Sequence, residues 1–440
     1  MGALILLAAL LLLAVYAPLF ASSKPLAVRY DGELYFPLLR YLFYRGFYTK
    51  AIDLFFNLLM VTLPLFVLGA LLPIRKWACL GVGLLQIGIF LFLLTHPVAD
   101  PAASFVKGKR GESWAEELDR KSAYGRLNLA LRYQLRKRYH EQALARGQMV
   151  TPWQIEQERL EAKRKRLQLD PEGGAKLAYL DAKEEWLASQ KLEGLVMPLL
   201  RPFHWEEHSV TRHSENQWWL RSRVNGKDLV AALFFGIRVS IVVGVIATLL
   251  ALLLGVPLGA IAGFHGGKLD ILLCRLIEVW EAMPTFLMLL LTVAILQSKS
   301  IFLVIGALAF FSWPPLCRMV RAEVLRQKAL PYVQACRSQG YPSRTILFRE
   351  ILPNAIPPVV SLLPFALMVA ITSEAGLAFL GLGEEGSCSL GVLMDEGRAA
   401  FPADSGLLWP PAILLSLLLI AIALVGDTLR DALDPKLRGA

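Results

Sequence analysis

Charge is what this chain has least of. Only 19% of its 440 residues are Asp, Glu, Lys or Arg, against about 25% in ordinary soluble domains. Acidic residues are the scarcer sign, 36 against 46 basic. With 55% hydrophobic residues and a mean hydropathy of +0.50, a disordered chain and an ordinary single soluble domain are both excluded. Cysteine is sparse too: Cys79, Cys274, Cys317, Cys336 and Cys388 stand alone, and no CxxC occurs. That excludes a disulfide frame or zinc knuckle and leaves buried free thiols. No G-x-x-x-x-G-K-[S/T] stretch is present, so this chain lacks that device for cradling ATP phosphates.

Long apolar runs are what it has instead. About 20 apolar residues in a helix cross a hydrocarbon core. Eight segments qualify: Met1–Phe20, Ala51–Leu72, Trp77–Leu94, Leu229–Gly263, Asp270–Leu296, Ile301–Val320, Pro353–Leu380 and Leu407–Val425. Met1–Phe20 lacks the basic n-region of a signal peptide and is read as an anchor. Leu229–Gly263 and Pro353–Leu380 exceed one span, so they must tilt, kink or leave the lipid. Between Val98 and Leu229 lie 24 of the basic and 19 of the acidic residues. The expected fold is an all-α polytopic membrane protein with about eight spans. Residues 1–97 form a membrane region of three spans, 98–228 a charged helical insert domain, and 229–440 a core of five spans.

Within the insert, Trp114, Leu118, Leu127, Leu131, Leu135 and Tyr139 recur at helical spacing. Thr151-Pro152 predicts the start of a second helix through Leu167, and Asp170–Gly174 is a turn before a third over Ala175–Lys191. Lys163–Arg166 and the Arg132–Arg138 cluster suggest no nucleic acid, because Glu156, Glu158 and Glu161 are interspersed as pairs on a solvated face.

Loop charge sets orientation. Arg318–Glu350 carries seven basic and two acidic residues, whereas Gly383–Gly406 carries one basic and five acidic. The positive-inside rule puts the first in the cytoplasm and, counting back three spans, the insert outside. Ser22–Lys50, with five basic and two acidic residues, runs against this count.

Several residues are candidates for chemistry. Gly255, Gly259, Gly263 and Gly267 recur every four residues, a ladder suited to close helix packing, with gating by the same contact as the alternative. Glu278, Glu281 and Glu374 lie in or beside apolar runs, where an ionised carboxylate is costly. They call for a basic partner such as Arg275 or a wet translocation path. Arg238 is expected to snorkel to the interface. His204-Trp-Glu-Glu-His208 fits H-x-x-E-H, with His213 as a third potential zinc ligand. A membrane metalloprotease using His204, Glu207 and His208 is therefore one alternative function, although Pro202 leaves no long helix to hold them.

The most informative stretch runs from Tyr332 to Asn354: a short helix stopped by Gly340, a basic segment, then Leu352-Pro353. It resembles the EAA loop of ATP-binding-cassette (ABC) importer permeases. Gln334 and Cys336 replace the glutamate and second alanine, while Ala335, Gly340, Leu352 and Pro353 match. Asn225–Asp228, Phe235-Gly-Ile-Arg-Val-Ser240, Gly255–Gly267, Arg275–Glu278, Met283-Pro284, Leu377–Gly383 and Gly426–Pro435 are similar, in order, to dipeptide/oligopeptide permease motifs. Lys24–Pro37 resembles the segment after the first span in YejE-type peptide-importer permeases.

The resemblance implies a type I importer permease core and a non-enzymatic transporter subunit of the inner membrane. Tyr332, Val333, Gln334, Ala335, Cys336 and Gly340 would dock an ATPase, and Leu352-Pro353 would pass on its motion. ATP and Mg would sit on that partner, with no cofactor on this chain. The other partners implied are a second permease, an extracytoplasmic solute-binding protein that the insert would dock or gate, and the lipid bilayer. A scaffold that transports nothing is the remaining alternative.

Overall fold

The computed structural model describes residues 2–48, 50–101, 112–145, 152–170, 173–200, 223–224, 227–384, 386–401 and 405–433. Six helices among them are long and apolar enough to span a membrane: Ala51–Leu71, Arg75–Thr95, Leu229–His265, Ile301–Lys328, Leu363–Leu382 and Trp409–Leu433. Gly267–Glu281 and Thr285–Leu296, bent by 75°, make a seventh if taken as one broken span. The bend falls at Met283-Pro284, where Met283 is extended, as the residue before a proline prefers.

The expected first span, Met1–Phe20, is not one helix. It is helical over the 14 residues Gly2–Val15, and a separate turn covers Ala17–Phe20. Fourteen residues reach about 21 Å, short of a hydrocarbon core of about 30 Å. Pro18 has no N–H to return to the Ala14 carbonyl, so the helix loses its next bond there. Pro353–Leu380 is likewise divided, into Leu352–Val360 and Leu363–Leu377.

The chain forms two compact units, Met1–Ala14 with Leu233–Ala440, and Val15–Ala232. The segments 1–97, 98–228 and 229–440 regroup for two reasons. Leu10 and Ala14 of the first helix are buried with Ile237, Ile371, Leu390, Leu418 and Ile422 of the permease-like region. Strand pairing also joins residues on either side of position 97.

Arg238 corrects the snorkelling expectation. Its side chain is 0% exposed, and its Nε donates to the Ala14 carbonyl at 2.6 Å. That is the carbonyl which Pro18 leaves without a helical donor. The guanidinium also lies 4.8 Å from the Phe235 ring centroid. A cation at a helix C-terminus is favourable, and a buried carbonyl needs a partner. Arg238→Met is expected to destabilise the purified protein by about 2 kcal/mol, read as a lower Tm in detergent. An unchanged Tm would mean the first helix is held without this bond.

In the second unit, Ala51–Leu71 and Arg75–Thr95 form an antiparallel hairpin. Polar bonds tie it inside: the Thr62 hydroxyl donates to Gln86 Oε1 at 2.6 Å, and Gln86 Nε2 donates to the Phe55 carbonyl at 3.1 Å. A small antiparallel sheet adds to the expected all-helical fold: β1 Ala27–Tyr30, β2 Glu33–Tyr35 and β3 Glu193–Val196 in the order β2-β1-β3. Its pairs run Val28 with Tyr35 and Ala27 with Val196.

The insert's helices are Trp114–Arg120, Ala123–Ala145, Pro152–Gln168 and Gly174–Ser189. The single stripe expected from Trp114 to Tyr139 is two helices. Ser122 interrupts it by accepting from the Gly125 N–H at 3.1 Å, a local bond that starts a new helix. Trp114, Leu127 and Leu131 of that stripe are buried. Glu156 pairs with another helix rather than along its own, with Arg136 at 2.5 Å, and Arg164 likewise reaches Glu184 at 2.6 Å. Burial pushes the Tyr179 hydroxyl up, as does its bond to Glu117. Burial alone would raise the Glu117 carboxyl, but bonds from Tyr179 and Lys121 outweigh it and hold the carboxyl low.

Candidate functional site

The stretch singled out from the sequence folds as a short helix, Pro331–Ser338, at the end of Ile301–Lys328. Pro331 occupies its first turn, where the missing N–H costs nothing. Its inward face is Val333, fully buried, with Tyr332 and Cys336 half-buried. These meet Ala260, Phe264, Val320, Val324, Ile346, Leu347 and Ile351 in one apolar cluster. Its outward face, Gln334, Ala335, Arg337 and Ser338, is exposed. Eight residues are too few for an isolated helix to persist in water, so this packing is what holds it.

Gly340 ends the helix at φ +77°. Its N–H donates to the Arg337 carbonyl at 3.0 Å, and the Tyr341 N–H donates to that of Cys336 at 3.1 Å, a Schellman cap. Gly340→Val is expected to cost this cap about 1–2 kcal/mol. The measurement is tryptic cleavage after Arg337, which should quicken; an unchanged rate would mean that the cap is not what orders the helix.

A polar relay joins the helix to both neighbours. The Tyr332 hydroxyl donates to Gln327 Oε1 at 3.0 Å, and Gln327 Nε2 donates to the Asn354 carbonyl at 3.5 Å. Beyond it the chain runs through a π-helical turn, Ile346–Ile351, whose last bond takes the Leu352 N–H to the Leu347 carbonyl. Pro353 follows with no N–H to resume the usual ladder. Leu352 is half-buried against the same cluster as Val333.

The glycine ladder sits directly behind this loop. A Cβ on Gly255 would lie 3.0 Å from the Trp313 carbonyl oxygen, and one on Gly263 would lie 2.8 Å from that of Arg321. One on Gly259 would overlap the Cys317 carbonyl oxygen. These three glycines let Leu229–His265 and Ile301–Lys328 meet backbone to backbone. Gly267 leaves the ladder: it and Gly266 take φ +63° and +70°, turning the chain into the next helix.

Of the four charged candidates, only Arg275 and Glu278 are brought together, as expected. Arg275 pairs with Glu278 at 2.6 Å on an exposed face. Glu281 pairs with Arg318 instead, and Arg321 holds Asp270, with Nη2 donating to Oδ2 at 2.8 Å. Glu374 is buried apart from these, and its Oε2 has no hydrogen-bond partner among the described residues. His204, Glu207, His208 and His213 lie outside the described residues, as do Asn225 and Gly226. No group of three His, Cys, Asp or Glu side chains suited to a metal occurs among the described residues.

Sequence reasoning missed Gln327, Phe264 and Ile346. Gln327 is 7% exposed and links three segments; an amide in the last turn of an otherwise basic helix end was the available signal.

Residues 255–439 match the family described as "Binding-protein-dependent transport system inner membrane component". The inner membrane ABC transporter permease protein YejE of Escherichia coli is 34% identical over 279 residues, which cover 60% of this chain and 79% of that protein. The peptidoglycan transport system permease protein YejE of Agrobacterium fabrum is 40% identical over 222 residues, or 50% and 57%. The dipeptide transport system permease protein DppC of Bacillus subtilis is 34% identical over 255 residues, or 55% and 78%. The matched region holds the glycine-packed helix pair and the loop built on it, and the chain belongs to the family of binding-protein-dependent transport system inner membrane components, multi-pass permease subunits of ABC transporters.

Proposed function

We propose that this chain is one of two permease subunits of an ATP-driven importer for peptides or peptide-like solutes. Its partners are a second permease, ABC ATPase subunits that carry the ATP and Mg, and an extracytoplasmic solute-binding protein. The solute class follows the names of its relatives. The observation that carries the coupling assignment is the Pro331–Ser338 helix, anchored by Val333 and exposed along Gln334 and Ala335. An exposed helix face on a basic loop suits insertion into a groove of a partner protein.

The mechanism is rigid-body transfer. Closure of the ATPase domains on ATP displaces the short helix. Val333 and the Tyr332–Gln327 bond carry that displacement into Ile301–Lys328 and, through Leu352-Pro353, into the following span. The backbone contact at Gly255, Gly259 and Gly263 transmits it to Leu229–His265 without side-chain slack. The two permeases then rock between inward- and outward-open states. The charge bias of the loops supports a cytoplasmic 318–350 loop and an extracytoplasmic insert in the inner membrane.

A photo-crosslinking residue at Ala335 tests the assignment. It is expected to capture an ABC ATPase in intact membranes, whereas one at buried Phe264 is not. Capture of no ATPase at Ala335 would remove the reading.

A further inference from the structure

The insert holds a cleft that neither the coupling loop nor the permease core uses. It lies between Ala123–Ala145, Pro152–Gln168 and Gly174–Ser189 and has a volume of about 290 Å³. Its floor is Leu129, Tyr133, Trp153, Leu160, Leu180 and Leu187, all of them only half-buried. Tyr133 and Trp153 meet edge to face with ring centroids 5.1 Å apart.

The cleft is not simply an unfilled domain core. That core lies on another face of Ala123–Ala145, where Leu127 and Ala130 are 0% exposed. Gly174–Ser189 buries no side chain at all. The floor is therefore a concave apolar surface left open to one side.

The rim is cationic. Arg132, Arg136, Arg164 and Lys183 line it against Glu156 and Glu184. Arg136 is committed to Glu156, and Arg164 to Glu184 and Asp181. Arg132 makes no ion pair among the described residues. Lys183 has its Nζ 5.4 Å from the Trp114 ring centroid. The cleft thus carries two more positive than negative side chains, and its apolar floor lies beside them.

Size decides the kind of occupant. The volume is near the lower end for small-molecule sites, about 300–1,000 Å³. Along Pro152–Gln168 the lining runs from Trp153 to Arg164, about 16 Å at helical rise, the length of about five extended residues.

We propose that this cleft binds a short, carboxylate-bearing peptide or peptide-like solute. Arg132 and Lys183 take the carboxylate, and an apolar or aromatic side chain lies against Tyr133 and Trp153. The assignment rests on the importer reading for the ligand's class only. The site gives the permease a solute-capturing surface on its insert, distinct from the path through the core.

Isothermal titration of the purified full-length chain in detergent tests it, using N-acetyl-phenylalanyl-glutamate and its uncharged diamide as probes. The dianion is expected to bind, and the diamide at least about tenfold more weakly. Arg132→Gln, a change at an exposed side chain, should erase that difference, and Trp153→Ala should weaken both probes. An unchanged Tm for Arg132→Gln excludes misfolding as the cause. No binding by the wild-type chain, or binding that neither variant alters, overturns the proposal. Because the titration contains no ATPase, its failure is separable from that of the importer reading: a chain that recruits an ATPase but ignores the probe sinks the cleft alone.

Discussion

Ala335→Glu is expected to abolish uptake while the protein still accumulates in the membrane at the wild-type level. The side chain is exposed on the outward face of Pro331–Ser338, so nothing in the fold depends on it. A carboxylate there enters the contact with a partner that the loop is built to meet. Burying an unpaired charge at an interface costs about 2–5 kcal/mol, and even about 3 kcal/mol weakens docking on the order of 100-fold. Two assays on one strain, uptake and membrane abundance, separate lost coupling from misfolding. Val333→Asp is the contrasting variant: its charge falls inside the cluster with Phe264, Val324 and Ile351, so both abundance and uptake should fall. Equal uptake by Ala335→Glu and wild type would remove the docking role from this face.

Gly259→Leu is expected to damage the permease core severely. The position is buried, and a Cβ there would overlap the Cys317 carbonyl oxygen and lie 3.0 Å from Val320 Cβ. The obstacle is backbone, so no rotamer change relieves it. The two helices must separate and lose the contacts at Gly255 and Gly263 as well. Overpacking a close-packed site costs about 1–3 kcal/mol when side chains can yield, and about 3 kcal/mol or more is expected here. Neighbouring Leu258, which is 40% exposed, provides the control: Leu258→Ala should leave the Tm in detergent nearly unchanged. A Gly259→Leu protein of wild-type Tm would contradict the backbone contact.

What the sequence revealed, and what it hid, divides along the range of the forces involved. Spans were legible because burial in lipid imposes a long local run, and Ala51–Leu71 and Arg75–Thr95 match their expected limits within two residues. The short helix and its stop were legible because Pro331 and Gly340 act locally. The ladder at Gly255, Gly259 and Gly263 was legible as a spacing, although its partner strip, Trp313 to Val324, was not.

Long-range pairings were hidden. Nothing local in Ala27–Tyr30 announces a partner at Glu193–Val196, and short strands with polar flanks carry little periodic signal. Arg238 was misread for the same reason. Taken alone, an arginine in an apolar run points to the interface, and its true partner is a carbonyl 224 residues earlier. That carbonyl is vacant because of a proline four residues further on, a cause that could have been read from the sequence. The three-way sharing of Gln327 and the separation of Glu281 from Arg275 both depend on how distant helices pack.

The central claim is that the Pro331–Ser338 helix joins this permease to an ATPase. Affinity purification of the tagged chain in mild detergent, with mass spectrometry of its companions, tests it most directly when wild type and Ala335→Glu are run side by side. Both chains should bring down a second permease, and the wild type alone an ABC ATPase. An ATPase recovered equally with both, or with neither, would contradict that claim.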